Sequence, residues 1–492
     1  MALRARLSAP RAEQEQWPWH QAKWTALSAA LIFGGDRRME AENYLAGGYG
    51  IRLAMEARKA GWTRMGDLAD VWQPSRLKGI QVSPDFGTPF LAATQVFDLR
   101  PVPRKFLALE KVKQSADLFV TSGQILVTRS GSVGRATLAH APHEKIIISD
   151  DLLRVDPRQE KLWGWLYAYL RAPQTRAMMT SAQYGHIIKH LETGHLNALP
   201  MPVLRDDLLV DYTERVKAIL DMRNQAHELA RAAEARFEQC FGPLVITDNG
   251  EAGFNVRAST ALFSNRRRFD ALPHNPVVKS IYEHLTKRAS GFTKLADAGF
   301  SVWLPNRFKR VPAADGLGLL GSSDLFEINP DITKRIADGN FGDAYNAHVK
   351  AGWLLLARSG QIYGLNGSLT LATKAHEAHV VSDHIIRIAP QENASIRPGY
   401  LCVALSHPEL GRPLMKSLPY GSSIPEIEVA DVEQLAVVRL DASEENAIAD
   451  MAEEASSLRA QADILENELA ADAEAILDRF IAGDMQDVVV SP

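Results

Sequence analysis

Two arginines stand in the same short setting in distant parts of the sequence. Arg129-Ser130-Gly131 follows the apolar run Ile125-Leu126-Val127-Thr128, and Arg358-Ser359-Gly360 follows Leu354-Leu355-Leu356-Ala357. A guanidinium held at the end of a strand can reach a guanine edge or a phosphate, and the adjoining glycine lets backbone N–H groups approach closely. The competing reading is a scaffold arginine paired with Asp150 or Asp383 in the adjacent strand. Around the two turns the polar residues differ: Ser132 and Arg135 beside the first, Gln361, Tyr363 and Asn366 beside the second. Different hydrogen-bonding groups in equivalent loops are what discrimination between two targets requires.

Further cations lie in Pro-containing loops: Arg76 and Lys78 in one, Arg307, Lys309 and Arg310 in another. They suit phosphate contact, against the plainer reading of a solvated loop. Tyr184-Gly185-His186, with Lys189, and Tyr420-Gly421-Ser422-Ser423 could bring an aromatic ring and small polar groups to a duplex, although a packed tyrosine ending a helix fits equally. His186, His190 and His195 with Glu192 have metal-like spacing, but the matching positions downstream hold no histidine, so no metal is expected. His376, His379 and His384 read as an exposed hairpin in an insertion. Gly316-Leu317-Gly318-Leu319-Leu320-Gly321 satisfies GxGxxG, yet the residues after it read as a strand rather than a phosphate-binding helix, so no bound cofactor is expected. No GxxxxGK[ST], HExxH, GxSxG or Asn-Pro-Pro-aromatic motif occurs, and the Pro-Asp pairs at 84–85 and 330–331 lack a following Glu-x-Lys. A chain without catalysis of its own is the expectation.

The elements that position these residues are duplicated. Arg38-Met39-Glu40-Ala41 returns as Arg268-Phe269-Asp270-Ala271, and Gly61-Trp62-Thr63-Arg64-Met65 as Gly291-Phe292-Thr293-Lys294-Leu295. Val71 to Lys78 returns as Val302 to Lys309, and Phe90 to Phe97 as Leu319 to Phe326. The Arg-Ser-Gly turns come next, then Ser149-Asp150 with Arg154 against Ser382-Asp383 with Arg387, then Tyr184-Gly185 against Tyr420-Gly421. Seven blocks in one order, at an offset drifting only from 229 to 236, make the chain two copies of one unit.

Each copy closes on a long apolar stripe at helical spacing. Leu209, Tyr212, Val216, Ile219, Met222, Ala226, Leu229, Ala233 and Phe237 form the first. Ile448, Met451, Ala455, Leu458, Ala462, Leu465, Leu469, Ile476 and Phe480 form the second on heptad a and d positions, with Asp472 breaking the seam. Asp441 or Ser443 suits an N-cap, and Gly242 and Gly483 suit stop signals. Ile146–Ile148 and His379–Val381 read as strands, Trp165–Leu170 and Tyr400–Leu405 as short helices, and Ala41–Lys59 as partly helical. The expected fold class is α/β: two repeated α/β domains separated by two long antiparallel coiled-coil helices, a pseudo-twofold internal repeat. The expected boundaries are 1–205, 206–242, 243–440, 441–483 and a tail, 484–492.

Charge follows the same division. The 492 residues carry a net charge of −4, but residues 1–200 are net +8 and 241–440 net +2, against −2 for 201–240 and −12 for 441–492. Positive charge therefore sits in the two large segments, where a polyanion would need it. No apolar run reaches the roughly 20 residues of a membrane span. Residues 1–24 do not read as a signal peptide, and Cys240 and Cys402 form no ligand or disulfide pattern, so a cytoplasmic protein with no membrane contact is expected.

Taken in order, these duplicated blocks resemble the specificity (S) subunit of Type I restriction-modification systems over about residues 35 to 482. Arg38-Met39-Glu40-Ala41-Glu42-Asn43-Tyr44 is similar to the motif opening each target recognition domain of that family. The second copy departs in Leu272-Pro273-His274 and in a four-residue insertion between Gly360 and Ser382. The resemblance implies a non-catalytic subunit whose two target recognition domains, 1–205 and 243–440, each read half of a bipartite site on double-stranded DNA. It implies helices that set the spacer and dock two methyltransferase (M) subunits. Those partners would bind S-adenosylmethionine and methylate adenine N6 on a flipped base, and restriction-translocase (R) subunits can join them. The alternative is a DNA-targeting adaptor of another anti-phage defence or regulatory complex.

Overall fold

In the computed structural model, which describes residues 29–34, 44, 47–76, 79–109, 115–182, 190–246, 248–250, 252–263, 267–338 and 347–485, the apolar runs of the first half become ten short strands. These are β1 (Trp62–Arg64), β2 (Ala69–Trp72), β3 (Ile80–Val82), β4 (Thr88–Leu91), β5 (Lys105–Ala108), β6 (Ile125–Thr128), β7 (Ala136–Leu138), β8 (Ile147–Ile148), β9 (Leu152–Pro157) and β10 (Pro200–Pro202). With them come helices α1 (Gly48–Glu56), α2 (Trp163–Arg171), α3 (Pro173–Ala182) and the long α4 (Asp206–Phe241). The second half contributes β11 (Gly291–Lys294), β12 (Phe300–Trp303), β13 (Pro312–Leu320), β14 (Arg335–Ile336), β15 (Leu354–Ala357), β16 (Leu369–Leu371), β17 (Val380–Val381), β18 (Ile385–Pro390) and β19 (Ala436–Arg439), with α5 (Pro276–Thr286), α6 (Pro398–Ser406) and α7 (Ala442–Ala482).

The sheets repeat closely, although the second is four-stranded in the first half, β3-β5-β4-β8, and three-stranded in the second, β14-β13-β17. One sheet of the first half runs β2-β9-β6-β7, and its counterpart runs β12-β18-β15-β16, both antiparallel. A second sheet pairs β4 in parallel with β8, as β13 pairs in parallel with β17. β1 closes on β10 and β11 on β19. The cores match at seven buried positions, while buried Phe97 of the first answers to half-buried Phe326 of the second. Leu91, Val96, Val120, Leu126, Ala139, Ile148 and Leu152 form one cluster, and Leu320, Leu325, Val349, Leu355, Ala372, Val381 and Ile385 form the other.

The offset between these clusters is 229 up to Leu126/Leu355 and 233 from Ala139/Ala372 onward. The four extra residues therefore lie in the turn between β15 and β16, which holds Gln361, Tyr363 and Asn366. This corrects the expectation for the histidines. His376 lies outside the insertion, and its counterpart is His143; their Nδ1 atoms accept from the backbone N–H of Thr373 (2.9 Å) and His140 (3.1 Å). Burial, aided by neighbouring His379, pushes His376 down to about 4. An unfolded chain protonates this imidazole below about 6.5, whereas the folded chain does so only near 4. The folded state is therefore expected to lose stability as pH falls through that window, by at most about 1.4 kcal/mol per pH unit. H376N, which keeps an acceptor without a titrating ring, should flatten the pH dependence of the melting temperature between those values. An unchanged slope would remove the histidine from the account.

Compactness divides the chain into residues 1–221 with 465–492, and residues 222–464. Each unit thus holds part of α4 and part of α7. Asp441 immediately precedes α7, its backbone carbonyl accepting from the N–H groups of Glu444 (2.9 Å) and Glu445 (3.0 Å), and Gly242 and Gly483 end the two helices at φ +76° and +89°. The packing is antiparallel: in the second unit Arg223 pairs with Asp463 (3.0 Å) while Arg236 grips Glu444 (2.8 and 3.1 Å). In the first unit Arg215 pairs with Asp472 (2.8 Å).

The heptad reading of α7 fails beyond Ala462. The buried positions there are Glu466, Leu469, Ala473, Leu477 and Phe480, so Leu465 and Ile476 stand on the flank and Asp472 does not break the seam. Steps of four, three, four, four and three follow the 3.6-residue helix, which drifts from a strict heptad by about 20° per repeat. Glu466, 2% exposed, accepts from the Tyr167 hydroxyl on α2, with the Arg171 guanidinium at 3.7 Å.

A buried arginine organises each half. Arg387, in the apolar strand β18, has no exposed surface and donates to the carbonyls of Ser382 (2.7 Å), Ile385 (2.5 Å) and Val381 (2.7 Å). Arg154 in β9 is equally buried and donates to Ser149 (3.0 Å), Leu152 and Ile148 (3.1 Å). Burial lowers Arg387 to about 9 and Arg154 to about 10, so both stay charged at neutral pH. They clamp the turn that carries Asp150 or Asp383.

The glycine-rich run is strand, not a nucleotide loop: Gly316 and Gly318 lie in β13, where a Cβ would stand 2.1 Å from the Ile336 carbonyl oxygen and 2.8 Å from His379 Nδ1. Among the described residues no helix is long and apolar enough to cross a membrane.

Candidate nucleic-acid interface

In the second unit the residues singled out in sequence converge on one surface. β15 is followed by Arg358, whose guanidinium lies against Glu426 (2.7 Å) and Glu428 (3.5 Å) and donates to the Ile427 carbonyl (3.1 Å). These partners belong to a tight hairpin. Tyr420 and Glu426 exchange backbone hydrogen bonds of 3.0 and 2.9 Å, so Gly421, Ser422, Ser423 and Ile424 form its exposed tip. Tyr420 is fixed by its own contacts, its hydroxyl donating to Glu428 (2.9 Å) while the Arg268 guanidinium lies 5.6 Å from its ring centre.

The turn after Arg358 is sewn to the same hairpin. Asn366, expected among the discriminating residues, has no exposed surface; its Nδ2 donates to the carbonyls of Pro425 (2.8 Å) and Gly360 (3.1 Å). It shapes the loop from inside, because a buried amide in an eleven-residue connection finds its partners in the backbone. Lys416 holds the turn from below, donating to the carbonyls of Ile362 and Gly364 (2.7 Å). What the loop presents outward is Gln361 and Tyr363, the latter 86% exposed.

Beside this turn opens a polar cleft of about 630 Å³ whose lining includes Arg307, Arg310, Lys334, Ser359 and His384. Arg307 and Lys309 are exposed on the loop after β12, and Arg310 reaches back to Asp383 and Ser382 (3.4 Å). Asp383 is thus the partner of Arg310, not of Arg358. Among the described residues, Arg307, Lys309 and Lys334 pair with no carboxylate in this unit. Lys334 and Ile424 carry no sequence signal of their own, and His384, read in sequence as part of an exposed hairpin, lines the cleft instead; only the fold brings them here.

The first unit repeats the scaffold. Arg129 lies against Glu192 (2.8 Å) and Asp151 (3.9 Å), and its carbonyl accepts from Leu191 (2.9 Å). The paired reading of this arginine therefore has a carboxylate from 63 residues away, not Asp150. Asp150 instead stands near exposed Arg76; burial raises its carboxyl above the ordinary range against the pull of its own backbone N–H, Arg76 and Arg129. The turn between β6 and β7 exposes Ser132, half-buries Ser130, and lays Arg135 over the Phe97 ring at 3.7 Å. Ser359 is likewise half-buried. Lys78, Tyr184, His186 and Lys189 lie outside the described residues. His195 serves locally, its Nδ1 accepting from the Glu192 N–H (3.1 Å).

The arrangement can do one kind of chemistry well. It offers charge and hydrogen bonds to an extended anionic ligand over loops fixed from behind, with the shared arginines consumed by the scaffold and Ser132, Gln361 and Tyr363, of the differing residues, facing out.

No family model matches this chain, and no curated protein matches it. Among solved structures, it is similar to a Type I restriction-modification system S subunit from M. genitalium, at 13% identity over 87% of this chain and 97% of that one, with a TM-score of 0.30. It is similar to the HsdS subunit from Thermoanaerobacter tengcongensis, at 14% identity over 86% and 97%, with a TM-score of 0.25. A shorter likeness, 15% identity over 36% of this chain and 28% of the other, TM-score 0.26, is to the type IIG restriction endonuclease BpuSI.

Proposed function

We propose that this chain is the sequence-reading, non-catalytic specificity subunit of a Type I restriction-modification complex. Its two heads each contact half of a bipartite site on double-stranded DNA. The long helices set the spacer and carry two methyltransferase subunits, whose bound S-adenosylmethionine supplies the methyl group for adenine N6; a restriction-translocase subunit completes the nuclease form.

The observation that carries this reading is the split between what the copies share and what they vary. The buried Arg154 and Arg387, the paired Arg129 and Arg358 and the two matched core clusters are common to both. The loop between the third and fourth strands of each main sheet differs by four residues and in its exposed side chains: Ser132 against Gln361 and Tyr363. A common frame with distinct outward groups is what reading two different half-sites requires. In this reading Arg76, Arg307, Lys309 and Arg310 meet phosphates, while Gln361, Tyr363, Ser422 and Ser423 face base edges.

The full chain with its methyltransferase partner should retard a duplex carrying one bipartite site far more strongly than a scrambled duplex, with affinity falling steeply as salt rises. Deleting the gene should erase one bipartite adenine mark from the host methylome. Equal retardation of all duplexes, or an unaltered methylome, would refute the assignment.

A further inference from the structure

The duplication reaches further upstream than the blocks that open the two heads. Counting back by the same offset of 230, the helix Ala29–Gly34 falls on the helix Ala258–Leu262, and Ile32-Phe33 falls on Leu262-Phe263. Both phenylalanines stand in solvent, Phe33 72% and Phe263 87% exposed. In the second copy Ala261 is buried while Leu262 and Phe263 face outward, so the helix buries one side and leaves an apolar knob on the other.

A single exposed phenylalanine means little. The same one at the same register of both copies is different, because the groups that would read DNA vary between the copies. An apolar group that does not vary serves something met twice in the same form. Its surroundings state the chemistry: Arg257 and Arg267 are exposed on either side of Phe263, and in sequence Arg37 and Arg267 hold the same place after the two helices. An apolar socket with a carboxylate rim complements such a knob.

We infer that Phe33 and Phe263 are a matched pair of docking knobs, each taking the apolar, acid-rimmed socket of one of two identical methyltransferase subunits. The identity of the occupant rests on the function proposed above; the pairing rests on the duplicated helices alone.

The test uses the full-length chain as F33D, F263D, the double variant and the leucine pair F33L/F263L, with a purified methyltransferase subunit from the same host. Native mass spectrometry should find two subunits on the parent chain and on the leucine pair, one on each single aspartate variant and none on the double. Affinity should fall about tenfold or more per lost knob. Duplex retardation by the chain alone and its melting temperature should not move. Two subunits retained by the double variant would overturn the inference. So would self-association of the parent chain that aspartate abolishes, which would make a second copy the occupant, or lost duplex retardation at an unchanged melting temperature, which would place the knobs on the DNA surface. Should aspartate unfold the chain, F33S/F263S gives the same readout. A parent chain that seats two subunits yet retards no duplex would sink the DNA reading and leave the docking pair standing.

Discussion

Replacing Arg387 with methionine is expected to destabilise the protein by about 3–5 kcal/mol, the range seen when one member of a buried charged network is removed. Methionine fills much of the same space but donates nothing. The carbonyls of Ser382, Ile385 and Val381 would then be left in a site with no access to water, each costing on the order of 1–3 kcal/mol. In a body of this size that loss lowers the melting temperature by roughly 10 °C. R387K should not rescue, because one ammonium cannot span carbonyls approached by both terminal nitrogens of a planar fork. R154M should behave alike in the first unit, where the same three kinds of acceptor surround the side chain. Thermal unfolding followed by circular dichroism decides it, and a shift of only a degree or two in both variants would mean that the arginines merely occupy their cavities.

The burial of those arginines is not fixed by local periodicity. The runs Leu152-Leu153-Arg154-Val155 and Ile385-Ile386-Arg387-Ile388 are written into the repeat, and a charge inside an apolar strand at the same place twice was the available signal of a buried role. The strands before the Arg-Ser-Gly turns, both long helices and their glycine stops were legible, because each follows from local periodicity or from a backbone conformation that favours glycine. The partners of Arg129 and Arg358 were not. Glu192 and Glu426 lie more than 60 residues downstream, and nothing local distinguishes them from Asp150 and Asp383. Leu465 and Ile476 were misplaced because a heptad was extended past the point where a straight helix leaves it. Asn366 reads as a surface amide, but its burial follows from the hairpin at Pro425, 59 residues away in sequence. Tertiary pairing, not propensity, decides all of these.

Removing the three cations of the loop after β12, as R307A/K309A/R310A, is expected to give the largest change in DNA binding. Each phosphate contact contributes about 0.9 to the slope of log affinity against log salt. Arg310 is already engaged with Asp383, so it counts for less than exposed Arg307 and Lys309. The slope should therefore become shallower by between about 1.8 and 2.7, and at 0.1 M salt affinity should fall by about the same number of powers of ten. The loss should be uniform over sequences, since phosphates carry no base identity. Q361A/Y363A makes the contrasting prediction: those side chains face outward from a loop fixed by Asn366 and Lys416, so their loss should relax preference in one half of the site and leave the salt slope nearly unchanged. Fluorescence anisotropy across a salt series, on duplexes altered in one half-site at a time, separates the two effects. If the triple variant keeps the parent's slope, the cleft beside Ser359 does not face the phosphate backbone, and the loops that meet DNA must be sought on another edge of the sheet.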